Sequence, residues 1–206
     1  MWKNKVIFYT PELYHYNHNH DALGRFASSS SGAVYKEAVK REPRITSDVS
    51  SSVKNNGASL YGLQNRLKTK KSIERKIKNK EVKDAVRYTA ILSDDKFVKQ
   101  YNGIKRDLAK QGYKETRCKN YFEEYKKGTV SHKSVQCNYQ TKDGYTFEMQ
   151  YQTKASQQVK DKKVPLYEEA RNPKTSTTRK GEIIVEMKLM ADGVPDPVDI
   201  SKIKSH

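Results

Sequence analysis

From Arg66 to Lys80 the chain carries eight lysines and arginines against a single acid, Glu74. Arg66, Lys68 and Lys70 precede a helical segment, and Arg75 and Lys76 fall on its first turns. Ser72, just before Ile73 and Ile77, is the expected N-cap, because its hydroxyl can accept from the free N–H groups of a first turn. A helix start flanked by cations suits a triphosphate, since N–H groups and side chains converge on the anion. A solvated basic face explains the same run about as well. Two carboxylates sharpen the choice. Asp84 opens an alternating apolar stretch, and Glu148 sits mid-way along the polar side of another. Two carboxylates at strand positions facing one cleft hold Mg²⁺ through oxygen, a cation that shares its ligands with substrate phosphates. A mid-strand glutamate costs β-propensity; the competing reading is an exposed sheet face. The sequence suggests no Ser-His-Asp or Cys-His pairing. Phosphoryl-type transfer needs none, because it asks chiefly for positioning and charge neutralisation.

The elements that must hold these residues are legible from Leu60 onward. Val86, Tyr88, Ala90 and Leu92 alternate against Arg87, Thr89 and Ile91, which predicts a strand over 85–92. Ser93, Asp94 and Asp95 should cap a helix whose stripe is Phe97, Val98, Tyr101, Ile104 and Leu108, with Gly112 as its stop. Another strand is expected near 113–119, then a hairpin over 133–153 turning at Lys142, Asp143 and Gly144. Val135, Cys137, Tyr139, Tyr145, Phe147, Met149 and Tyr151 make its core side. Ser134, Gln136, Asn138, Thr146, Glu148, Gln150 and Gln152 make its polar side. A helical stretch over 156–171 follows, then a polar loop to Thr178, an apolar segment over 182–190, and a closing turn at Val194 to Pro197. Strand, helix, strand and hairpin in this order predict an α/β (α+β) domain, a mixed β-sheet with helices packed on one face.

Composition bounds the rest. The net charge of +17, from 41 Lys and Arg against 24 Asp and Glu, suits a polyanionic partner, although a Lys-rich surface also serves solubility alone. Hydrophobic residues make up 34 %, so the core is expected in a sub-segment. Cys118 and Cys137 are too few for a disulfide framework and lack metal-ligand spacing, which suggests two small core residues in a reducing, cytoplasmic setting. No apolar run approaches a membrane span, and residues 1–16 do not read as a signal peptide.

The charged clusters, in their order, resemble a known family. Arg66-Leu67-Lys68 with Ser72-Ile73 resembles the R-x-K-x-x-x-S-I opening of RelA/SpoT-type synthetase domains, which transfer pyrophosphate from ATP. Asp84 stands where those domains place a Mg²⁺-binding aspartate entering a strand, and Glu148 to Thr153 resembles their E-x-Q-x-R-T strand. Asp84 to Thr89, Asp143 to Thr153, Leu166 to Arg171 and Val194 to Pro197 are similar to segments of the compact toxin versions of this domain. The likeness covers roughly 59–203. It implies that Arg66, Lys68, Lys70, Ser72, Arg75, Lys76 and Arg87 bind ATP phosphates and that Asp84 and Glu148 hold Mg²⁺. Glu148 would also help to deprotonate the acceptor hydroxyl, with His132, Lys133 and Gln150 on the acceptor side. It further implies a growth-inhibiting toxin and, as a partner, a neutralising antitoxin or immunity protein. The acceptor is a guanine or adenine nucleotide, giving an alarmone, or the 3′ end of tRNA. Two departures bear on it: Ser131-His132-Lys133-Ser134 replaces a Tyr-Gly acceptor loop, so His132 would stack on the acceptor base, and Gln152 replaces the strand arginine. The alternative is a phage nucleic-acid-binding or structural protein that keeps the fold without catalysis.

Residues 1–31 end in a serine run that reads as a flexible linker. His15, His18, His20 and Asp21 offer metal donors without visible support, and Asn19 to Phe26 is similar to short segments of phage head-associated proteins. Residues 32–58, with little apolar content, read as a connector, either a surface helix or disordered.

Overall fold

The computed structural model describes residues 30–77, 82–128 and 130–206. Five strands form one mixed sheet: β1 (Ser59–Tyr61), β2 (Arg87–Ile91), β3 (Lys114–Asn120), β4 (Val135–Gln140) and β5 (Thr146–Gln152), in the order β1-β2-β5-β4-β3. Only the β2–β5 pair is parallel, with Arg87 opposite Glu148 and Thr89 opposite Gln150. The β4–β5 hairpin pairs Cys137 with Met149 and Asn138 with Glu148, and its turn uses Gly144 at φ +89°, a left-handed value that a side chain would strain. The expected division of faces holds. Tyr88, Ala90, Val135, Cys137, Tyr139, Phe147, Met149 and Tyr151 are buried on one side.

That apolar side is covered by α1 (Ser31–Asn55) and α3 (Phe97–Lys110). The α3 stripe is as expected, with Phe97, Tyr101, Ile104 and Leu108 buried and Gly112 following its C-terminus at φ +93°. Its cap differs: Ser93 to Lys96 form a turn, and Lys96, with no side-chain cap bond, occupies the N-cap. The larger difference is α1. The stretch expected to have little to bury is a 25-residue helix whose Ala38, Glu42, Ile45, Val49 and Val53 recur at helical spacing and face the sheet. Pro43 interrupts its ladder on the exposed side, where the loss of one N–H is least felt.

α2 (Lys70–Ile77) anchors itself through the buried Ile73. The predicted cap at Ser72 is corrected here. Thr69 Oγ1 accepts from the Ser72 N–H at 3.3 Å, which puts Ser72 inside the first turn. α4 (Tyr121–Lys126) is capped by Asn120. Beyond the sheet come α5 (Lys154–Lys162), α6 (Val164–Arg171) and α7 (Thr177–Asp192), so the single helix expected over 156–171 is two, joined at Lys163. Thr153 and Ser156 close a capping box that starts α5 directly off β5. No helix among the described residues is long and apolar enough to cross a membrane. The histidine-rich segment and the residues similar to phage proteins lie outside the described residues.

Candidate functional site

The polar face of the sheet is built by alternation, and alternation places its charges. Arg66 to Lys68 run antiparallel beside the entry to β2: Arg87 N–H donates to Arg66 O at 2.8 Å and Lys68 N–H to Ala85 O at 2.9 Å. Arg66 closes a short helical turn at φ −65° and ψ −29°, and Lys68 follows Leu67, which bridges to Val86. Lys68 Nζ lies 2.5 Å from Asp84 Oδ2, and Lys76 Nζ, reaching in from α2, lies 2.8 Å from Oδ1. Burial pushes the Asp84 carboxyl up, but these two ammonium groups outweigh it and hold it below the usual carboxylate range. Burial brings Lys68 below its ordinary value, despite the pull of Asp84 and with added repulsion from Lys76 and Arg87. Arg66 is steered by a carboxylate the sequence reading did not single out, Glu42 on α1, which accepts from its Nε, while its Nη1 donates to Leu63 O at 3.1 Å.

Glu148 joins this floor through its neighbours. Its backbone N–H donates to Val86 O, Arg87 stands opposite it across the parallel pair, and Gln150 Nε2 donates to its Oε1 at 2.5 Å. Gln150 Oε1 in turn accepts from Lys160 Nζ at 2.6 Å. Burial, then repulsion from Arg87, brings Lys160 down to about 8, with Glu148 and Asp161 opposing. Arg87 repels both Lys68, the partner of Asp84, and Lys160, which also feels Glu148.

Beside these residues is a cavity of about 370 Å³, lined among others by Arg66, Lys68, Ser72, Arg87, Lys160 and Asp161; Asp84 and Glu148 adjoin its lysines and arginine but are not among its lining residues. Its cationic lining and the nearby first turn of α2 match an anionic ligand of several phosphates. Lys160 was missed by the sequence reading, and so was Lys163, whose Nζ donates to Ser131 O at 2.6 Å and which burial brings down to about 8. A signal existed: Ser156, Gln157, Lys160 and Lys163 occupy the helical spacing that normally carries apolar residues inward. His132, outside the cavity lining, feels Lys163 and Lys160 and has its ring 4.3 Å from that of Tyr121. Burial, then Lys163 and Lys160, brings it down to about 4, so it is neutral at physiological pH.

Three predicted contacts are not brought together with these. Lys70 lies over the Tyr35 ring at 5.2 Å and Arg75 is on the exposed side of α2. Lys133, expected on the acceptor side, instead donates to Val194 O at 2.6 Å, pairs with Asp196 at 3.0 Å and lies over the Tyr125 ring. It ties the closing turn to α4.

No protein-family profile and no curated protein matches the chain. Solved structures do. The type VI effector Tas1, determined in complex with its immunity protein, is similar over 80 % of this chain and 95 % of that one, with a TM-score of 0.51 and 18 % identity. Small alarmone synthetase 2 from Bacillus subtilis is similar over 77 % and 87 %, with a TM-score of 0.50 and 20 % identity. The fold is that of the small alarmone synthetases. Small alarmone synthetase 1 from the same organism, solved with its product pppGpp, is similar over 77 % and 86 %, with a TM-score of 0.50 and 17 % identity.

Proposed function

We propose that the chain is an ATP-dependent pyrophosphokinase acting as a growth-inhibiting toxin, with a nucleotide or the 3′ end of tRNA as acceptor. The observation that carries this reading is the cavity in which Arg66, Lys68, Arg87 and Lys160 converge beside a floor bearing Asp84 and Glu148. Transfer of a pyrophosphoryl group means that an acceptor hydroxyl attacks the β-phosphorus and AMP leaves. Charge on the equatorial oxygens must then be neutralised by preplaced cations, which is the task this lining fits. Lys68 and Lys160, partly desolvated, interact with phosphate more strongly than exposed lysines do. Asp84 and Glu148 fit Mg²⁺ in donor type, since both offer carboxylate oxygen and Asp84 is kept charged. A bound Mg²⁺ would supply further neutralisation of the phosphates. Gln150 fixes Glu148 and Lys160 relative to each other, and Glu148 is the base nearest the acceptor side. Neutral His132, backed by Tyr121, offers a face on which an acceptor base can stack.

The test is label transfer. Purified protein with Mg²⁺ and radiolabelled ATP is expected to label GTP or GDP, an adenine nucleotide or tRNA. Glu148→Gln and Asp84→Asn should each lower the rate by at least about 10²-fold. Expression of the wild-type chain in bacteria should arrest growth, and Glu148→Gln should relieve the arrest. Absence of transfer to every acceptor, with salt-sensitive nucleic-acid binding that survives both substitutions, would establish the non-catalytic alternative instead. A neutralising immunity protein follows as the partner of such a toxin.

A further inference from the structure

Beneath the opposite, apolar face lies a second polar cluster that the transferase reading does not use. Cys118 on β3 and Cys137 on β4 pair directly across the sheet, with Sγ atoms 3.2 Å apart. Cys118 spends its backbone N–H and C=O on His206, at 3.0 and 2.9 Å. It thus faces Cys137 as a non-hydrogen-bonded pair, the arrangement in which cross-strand side chains come closest. Glu115 is three residues from Cys118 and by strict alternation would point to the other face. A bulge between Glu115 and Arg117 absorbs one residue, so Glu115 pairs with Tyr139 and turns inward beside the two thiols. The donor atoms of Glu115, Cys118 and Cys137 all lie within 4.8 Å of one another. The Glu115 side chain is thus buried with a carboxylate oxygen beside the thiol pair.

We infer that Glu115, Cys118, Cys137 and His206 form a binding site for a thiolate-preferring divalent cation, Zn²⁺ by chemistry. The donor set of two sulfurs, an imidazole and a carboxylate suits tetrahedral Zn²⁺ and not Mg²⁺ or Ca²⁺. His206 Nε2 is 3.5 Å from Glu115 Oε1, on the solvent side of the cluster and outside the set of three mutually close donors, so its half-exposed ring must turn inward to supply the fourth ligand. Zn–S bonds of about 2.3 Å place two sulfurs about 3.8 Å apart, so the pair need only separate slightly. The outer contacts are in place. Tyr101 and Tyr139 hydroxyls donate to Glu115 Oε2 at 3.0 and 2.9 Å, and Lys105 Nζ lies 2.6 Å from Oε1. Binding releases the two thiol protons to solvent; two thiolates, one carboxylate, Lys105 and Zn²⁺ then sum to zero charge. A cavity of about 450 Å³, lined by Lys105, Tyr113, Lys114 and Glu115 among others, reaches the carboxylate end of the cluster. The inference stands whether or not the transferase reading does.

Co²⁺ titration of the reduced full-length chain tests it. The expected result is one Co²⁺ per chain with a thiolate-to-cobalt charge-transfer band, displaced stoichiometrically by Zn²⁺. Cys137→Ser should abolish the band. Because that core substitution can unsettle the fold, His206→Ala at the half-exposed edge is the second variant, expected to weaken Zn²⁺ binding by at least about tenfold. A reduced chain that shows no charge-transfer band overturns the site. So does a band that persists in Cys137→Ser, or one whose metal affinity is unchanged in His206→Ala. Oxidation of the pair to a disulfide in preference to metal capture would overturn it as well.

Discussion

Lys160 concentrates the chemistry of the polar face in one side chain. Its ammonium binds Gln150, sits between Arg87 and Glu148, and lines the cavity. Burial brings it and Lys163 to about 8 each, whereas unfolded lysine titrates near 10.4. Between those values the unfolded chain holds more protons than the folded one, so stability should rise with pH from about 8. The trend should reverse near pH 10, where unfolded tyrosines ionise while burial holds Tyr139 and Tyr151 protonated. Transfer activity should move the opposite way, falling above pH about 8 as Lys160 loses its charge. Thermal midpoints and initial rates across pH 7 to 10 would read both. Lys160→Met should flatten the stability profile, raise the midpoint at pH 7 by roughly 3 °C, and cut the rate. Rate and stability falling together over this window would contradict the assignment. Arg66, Lys68, Asp84 and Glu148 were singled out from the sequence, as part of a basic cluster and as two carboxylates at strand positions. Lys160 was not, since a lysine in a polar helix looks solvated until the helix is known to lie across a sheet.

At the scale of elements, α1 is where sequence and structure part most. Its stripe is thin, with one residue per turn and Glu42 and Ser52 among the buried positions. Such a stripe reads as weak because periodicity counts apolar residues, whereas here two polar members are satisfied by specific partners. Glu42 takes Arg66 and Thr46, and Ser52 takes Gln111. The helix therefore does two jobs, covering the sheet and aiming Arg66. Ile45→Ala should lower stability by about 2–4 kcal/mol, as for other buried large-to-small changes, read from the urea midpoint. A loss under about 0.5 kcal/mol would mark α1 as the detached connector its composition suggests. Glu42→Gln separates the second job from the first. It should leave the midpoint nearly unchanged but raise KM for ATP several-fold, because Arg66 loses the carboxylate that orients it. The hairpin strands and α3 needed no such help to be read. Their apolar positions are dense, and Gly112 and Gly144 mark their ends with positive φ.

Across the whole molecule, the sheet order is what the sequence could not display. Arg87 and Glu148 become neighbours only because β5 inserts between β2 and β4, a parallel pairing that no local pattern encodes. The net charge of +17 was visible at once, and its meaning depends on how far it spreads beyond the cavity. Among the described residues, Arg66, Lys68, Arg87 and Lys160 line that cavity as cations, while Lys70, Arg75 and other basic residues stand outside it on exposed surface. A free nucleotide acceptor would meet the cavity cations alone and gain little from the rest. A tRNA would lay its backbone across the outer ones and release counterions from each contact. Transfer to tRNA is therefore expected to be the salt-sensitive reaction. Six to ten phosphate contacts correspond to an affinity loss of about 10³–10⁵ between 50 and 200 mM salt, while transfer to GTP should change only a few-fold. Initial rates at sub-saturating acceptor, measured for both acceptors over that range, separate the cases. Equal and shallow dependences would mean that the outer charge takes no part in acceptor binding, and the nucleotide would then be the natural acceptor.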